Sequence, residues 1–255
     1  MKIAEIGLNY VDHYGDDLMV VNRARVSFAK KKDQFDDTDI GLIGYLARGY
    51  TTKDWNALLQ RVVDCDTLED AEKLINEARR APTHFMPFAH PHATFHLKVP
   101  VWLSRQLAKH QIGFSWSEES RRYIDSEPEI WFPSGYRARG ENIKQGSKKD
   151  EFVDELAENG ILYTDTVKAA RYQCDEAIHL YKRMLDAGVA PEHARTILPQ
   201  NMMVEFDWTG SLMAWARLYN LRAGHGAQYE HEQICEKLDR EMSALYPHSW
   251  KALTQ

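Results

Sequence analysis

The 255-residue chain is poor in cysteine: Cys65, Cys174 and Cys235 are an odd number, far apart, with no C-x-x-C spacing, and are expected as reduced core thiols. It also lacks any apolar run approaching the ~18 residues that span a bilayer. The opening M-K-I-A-E-I-G-L-N-Y has neither the apolar region nor the cleavage site of a secretory signal. A cytoplasmic protein without a membrane partner is expected. Positive charge is in deficit, with a formal net charge of −6, which argues against a chain that coats nucleic acid. Any anionic ligand must therefore meet a local cluster of arginines. Neither G-x-G-x-x-G nor G-x-x-x-x-G-K-[ST] occurs, so a Rossmann or P-loop nucleotide site is not expected, and H-E-x-x-H is absent too.

What is present is enough for a core: 44% of the residues are apolar. That composition excludes a disordered tail. Two helical patterns run from Thr52 to Arg80, the second with Asp66 as cap and Glu69 three residues on, and the pair reads as a helical insertion. Ala93 to Val99 alternates with period two, as a half-buried strand does, and Pro100 suits the first turn of a helix reaching about Gln111. Trp131 to Asp150 is expected as a polar surface loop and candidate lid, and Thr164 to Leu185 as a long amphipathic helix stopped by Gly188. A last amphipathic helix carries Ile234, Leu238, Met242 and Leu245. The class is α+β: an antiparallel-type sheet with flanking helices, one domain with the insertion at about 52–80.

The densest chemistry lies in Arg105 to Tyr123, R-Q-L-A-K-H-Q-I-G-F-S-W-S-E-E-S-R-R-Y. On the expected helix Arg105 and Lys109 fall one turn apart, and so do Gln106 and His110. A solvated helix end would look similar. Trp116 and Tyr123, interleaved with donors, instead suit a planar ring and a phosphate. Arg217 and Arg222 sit in the apolar stretch L-M-A-W-A-R-L-Y-N-L-R-A, where a buried guanidinium needs an anionic ligand or an acidic partner. Arg195, near the start of the helix opened by Pro191, is placed for a phosphate. His90, His92 and His96 share strand parity, but no acidic residue in the segment completes a metal set, and no metal is expected. Taken alone, these residues imply an enzyme or binding protein for an anionic ligand.

A family resemblance narrows this. Lys109-His110-Gln111, eight intervening residues, then Ser120, with Glu118, Arg122 and Tyr123 in register, resembles the R-H-R…S signature of the flavin-dependent thymidylate synthases. In the same order stand A-R-V-S-F from Ala24, H-F-M-P-F-A-H from His84, F-H-L-K-V-P from Phe95, A-R-T-I-L-P from Ala194, and N-L-R-A…A-Q-Y-E from Asn220. A phage-type branch is the most similar; the cytoplasm would then be the host's. The resemblance implies reductive methylation of dUMP to dTMP, with FAD as cofactor and methylenetetrahydrofolate and NADPH as co-substrates. It also implies a homotetramer with shared active sites.

By the same resemblance Gln106, Lys109, Glu118, Ser120, Arg122 and Arg195 are expected at the nucleotide, with Arg195 at its phosphate. Ser27, His84, Lys109, His110, Gln111, Glu118 and Arg217 are expected at the flavin, and Arg222 as the residue activating the base. The chain departs from the family in the Lys-His-Gln triplet, in Ala89, and in Ser211, Met213 and Arg217. These departures keep two alternatives open: a pyrimidine-nucleotide (dUMP or dCMP) 5-hydroxymethylase, in which water captures the C5 methylene, and a catalytically silent nucleotide- or flavin-binding subunit.

Overall fold

A computed structural model describes residues 1–140, 147–158, 161–224 and 227–255. In chain order the elements are β1 (Lys2–Ile3), β2 (Gly7–Tyr14), α1 (Asp17–Arg25), α2 (Asp37–Arg48), α3 (Thr52–Val63), α4 (Leu68–Arg79), β3 (His92–Pro100), α5 (Val101–Leu107) and β4 (Phe114–Glu118). They continue with β5 (Glu129–Ile130), β6 (Glu155–Glu158), β7 (Ile161–Asp165), α6 (Thr166–Asp186), α7 (Pro191–Ala194), β8 (Met203–Ser211), α8 (Leu212–Arg222), α9 (Tyr229–Leu245) and α10 (Pro247–Thr254). Three-residue 3-10 turns follow α1 at Val26–Phe28 and α7 at Arg195–Ile197.

The central sheet has the order β2-β3-β8-β4, and each neighbouring pair is antiparallel. Alternation decides its two faces. Ala93, Phe95, Leu97 and Val99 of β3 are fully buried, and Phe95 and Leu97 lie opposite Trp208 and Phe206 of β8. This apolar face is covered by Val20 and Val21 of α1, Ile43 and Leu46 of α2, Trp215 and Leu218 of α8, and Ile234, Leu238 and Met242 of α9. The intervening residues of β3 and β8 are polar. There His96 lies between Asp207 at 2.8 Å and Glu205 at 3.0 Å, while Lys98 pairs with Glu129 and with Glu205.

Several expectations shift at element ends. The second helix of the Thr52 to Arg80 pair is capped by Thr67, whose side chain accepts from the Asp70 amide, not by Asp66. Pro100 is the N-cap of α5 rather than part of its first turn, at φ −66° and ψ 148°. Its missing N–H costs nothing there. That helix ends at Leu107, four residues before Gln111, so Lys109 and His110 stand in the following turn and not one helical turn beyond Arg105 and Gln106. The Trp131 to Asp150 segment is tied down by Arg137, which pairs with Glu230 at 2.7 Å; residues 141–146 lie outside the described ones. Cys174 and Cys235 are buried, but Cys65 is only partly so, at the α3–α4 junction. No described helix is long and apolar enough to cross a membrane.

Candidate functional site

The turn between α5 and β4 organises the site. Gly113 has φ +80°, and a Cβ there would come within 3.0 Å of both Ala214 and Ser211, so glycine is required for the chain to turn back against α8. The Ser211 amide donates to the Gly113 carbonyl at 3.0 Å, and the Ser211 hydroxyl caps α8 by accepting from the Ala214 amide. The start of α8 is thus fixed to the end of the turn. At the other end of α8, Arg222 meets His110: Arg222 Nε donates to His110 Nε2 at 3.0 Å.

That bond sets the histidine's state. An Nε2 that accepts carries no proton, so the neutral ring holds its proton on Nδ1 and offers a donor there. Burial, then the positive charges of Arg222 and Arg217, hold the His110 pKa below its usual value. Arg222 is half-buried, and its Nη1 and Nη2 make no hydrogen bond among the described residues. It has no acidic partner among the described residues. Arg217 is exposed, contrary to its expected place on a buried face. It still lies near enough to act on His110.

A third helix closes the cluster. His231 in the first turn of α9 is 1% exposed, and its Nε2 lies 2.8 Å from Gln106 Oε1. Its Nδ1 is buried without a partner among the described residues. Burial, then Arg222 and His110, lower its pKa from the usual 6.5 to about 4, so it is neutral at pH 7. The sequence reading missed His231. The signal was available: His231, Ile234, Cys235, Leu238 and Met242 form the apolar stripe of α9, and a histidine on such a stripe needs a polar partner across the interface.

Beside this cluster a cleft of about 430 Å³ has a floor of Phe114, Trp116 and Trp208 and a rim that includes Arg105, His110, Gln111 and Glu118. Trp116 stacks on Phe206 with ring centres 3.6 Å apart and donates from Nε1 to Glu118 at 3.2 Å. Glu118 stays open on its solvent side, yet desolvation raises its carboxyl pKa, against the Trp116 hydrogen bond.

The other expected residues are more scattered. Ser120 accepts from Arg122 Nε at 3.2 Å, and the Arg122 guanidinium lies 5.0 Å from the centre of the exposed Tyr123 ring. The neighbour Arg121 is the buried member of the pair and donates to the Ser126 carbonyl. Arg195 is the C-cap of the four-residue α7, so the expected helix N-terminus does not face it. It is exposed and has no ion pair among the described residues. Lys109 and Gln111 are exposed on the turn. Ser27 lies in the 3-10 turn after α1, and His84 stacks on Tyr45 with ring centres 5.6 Å apart; neither forms a described contact with the cleft. As for the three histidines, His92 Nδ1 contacts the His90 carbonyl, while His96 takes its acidic neighbours from β8, which the local segment did not reveal. Among the described residues no group of side chains could hold a metal.

Comparison with known proteins places this arrangement. The family model described as thymidylate synthase complementing protein matches residues 9–248. The flavin-dependent thymidylate synthase of Kosmotoga olearia is 31% identical, over 99% of this chain and 92% of that protein. That of Thermosipho melanesiensis is 28% identical, over 98% and 92%. Among solved structures, the UMP/dUMP methylase PolB of Streptomyces cacaoi, bound with 5-Br dUMP, superposes with a TM-score of 0.72. The identity is 24%, with 100% of this chain and 97% of that one covered, and the likeness is one of fold.

Proposed function

The chain belongs to the thymidylate synthase complementing protein family, that of the flavin-dependent thymidylate synthases, and from this we propose that it methylates C5 of dUMP to give dTMP. FAD is the cofactor, with methylenetetrahydrofolate as carbon donor and NADPH as reductant. The observation that carries the reading is the Arg222–His110 pair: His110 lines an aromatic cleft, and the guanidinium fork of Arg222 has no hydrogen bond among the described residues.

The residues suit a flavin and a nucleotide. Just before Ser27, Arg23 Nε and Arg25 Nη1 are buried without a hydrogen-bond partner among the described residues, while Arg25 Nη2 pairs with Asp39 at 2.7 Å. Ser27, His84, Lys109, His110, Gln111, Glu118 and Arg217 would hold the flavin. Gln106, Lys109, Glu118, Ser120, Arg122 and Arg195 would bind dUMP, Arg195 through the phosphate. When bound, FAD supplies the hydride. C5 of uracil is a weak nucleophile until charge builds on the ring, and a preorganised guanidinium in a dry site stabilises that charge. Arg222 has this role, and His110 aims it by accepting from Nε. Ser120 binds through its hydroxyl, and no side chain is required as a covalent nucleophile.

The exposed cations Lys109, Arg122 and Arg195, without ion pairs among the described residues, support sites shared within a homotetramer. The α3–α4 pair is read as an insertion in a single domain, because none of its described side chains joins the main buried cluster. A cytoplasmic location accords with the co-substrates. The test is product mass after incubation of the protein with dUMP, methylenetetrahydrofolate, FAD and NADPH. We expect dTMP. Release of 5-hydroxymethyl-dUMP without dependence on reduced flavin would replace the synthase reading with the hydroxymethylase one, and no product at all would favour a silent binding subunit.

A further inference from the structure

We propose that His231 is a positioning residue that locks the Gln106 side-chain amide with its NH2 group toward the nucleotide, so that the pocket accepts a base carbonyl and rejects an exocyclic amine. The inference rests on the reading of this site as a pyrimidine-nucleotide pocket.

The argument starts from the buried, unpartnered Nδ1 of His231. A neutral imidazole places its single proton on one nitrogen. A proton on Nδ1 would leave a buried N–H without an acceptor, which costs the desolvation of a donor; a bare lone pair there is the cheaper vacancy. The proton therefore sits on Nε2 and is donated to Gln106 Oε1 at 2.8 Å. A second proton would restore the orphan N–H, and burial together with Arg222 and His110 disfavours it.

With Oε1 committed to His231, Gln106 has only its NH2 group to offer. That nitrogen makes no hydrogen bond among the described residues, and Gln106 is only partly buried. Arg222 and His110, near enough to act on His231, are also donors. Arg222 presents Nη1 and Nη2, and His110, which accepts from Arg222 at Nε2, presents Nδ1–H. A wall of N–H groups pairs with carbonyl oxygen and opposes an amine, because a polar site left facing the wrong group is strongly disfavoured. Turning the Gln106 amide over would supply one acceptor. His231 prevents the turn, since its Nε2–H would then face NH2.

The experiment is equilibrium binding of dUMP and of dCMP, by calorimetry without turnover, to wild type, His231→Phe, His231→Leu and His231→Gln. Thermal melting checks folding of each. Wild type is expected to prefer dUMP. His231→Phe and His231→Leu, which cannot donate, should narrow that preference about tenfold, equivalent to about 1.4 kcal/mol. His231→Gln, which can donate an amide N–H to Oε1, should restore it. In a Gln106→Met background His231→Phe should no longer change the ratio, whereas a merely structural role would lower stability and leave the ratio alone. An unchanged ratio in variants that bind dUMP overturns this inference and leaves the proposed function standing. Failure of wild type to bind either nucleotide overturns both.

Discussion

Arg222 and His231 occupy the same cluster but answer to different measurements. Arg222 keeps one N–H for His110, and its fork has no partner among the described residues. An ammonium cannot reproduce that planar pair of donors. Arg222→Lys should keep the fold and bind dUMP with a small loss while turnover falls about 10²–10³-fold, as expected for a contact strengthened in the transition state. Single-turnover kinetics beside dUMP titration check this, and near-normal turnover would move the activating role to Arg217. His231 instead gives a pH signature. Its folded pKa, about 4, lies below the usual 6.5, so the unfolded chain binds more protons between those values and stability rises with pH through that window. Lowering the pH from 7 to 5 should cost on the order of 2 kcal/mol through this group alone. Urea unfolding at both pH values is expected to show that loss in wild type and to lack it in His231→Phe. His96, between Glu205 and Asp207, has a raised pKa and works in the opposite sense, its contribution being lost as pH rises through the raised value, but it is a surface group.

At the scale of elements, the site depends on how β8 and β4 meet under α8. Gly210 lies opposite Phe114, and a Cβ added there would overlap the Phe114 ring and reach within 2.9 Å of Trp215 Nε1, which is engaged with the Ala93 carbonyl. Trp215 packs edge-on against both Phe114 and Trp208, which are themselves in contact at a 30° tilt, so none can give way cheaply. Gly210→Ala should destabilise the chain by about 1–3 kcal/mol. Phe114 also belongs to the cleft floor, so the same change should weaken dUMP binding. Urea midpoints and calorimetry test the two effects separately; an unaltered midpoint would mean that β4 relaxes without strain.

For the whole molecule, the open question is how the exposed cations find anions. If Arg195 serves the site of a neighbouring copy, the protein in solution should have four times the chain mass by light scattering. Co-assembled Arg195→Ala and Arg222→Lys chains should then recover part of the activity that each lacks alone, because some mixed sites receive both arginines. A monomer, or no recovery from a tetramer shown to contain both chains, would confine the site to one chain.

The sequence by itself determined the period-two strand at Ala93 to Val99, the long helix ended by Gly188, the helical pair after Thr52 and the concentration of donors between Arg105 and Tyr123. Each follows from local physics: side-chain alternation, capping, a glycine at φ +84° and charge density within one segment. Tertiary structure decided the rest. The packing of the turn at Gly113 against Ser211 and Ala214, about a hundred residues later, is one such feature. The partner of Arg222 is a histidine from that turn rather than an acid, and only packing could show that Arg217, five residues before it, faces solvent. The Gln106–His231 contact joins residues separated by 125 positions, and no local pattern carries a pairing that exists only once α5 and α9 share one buried space.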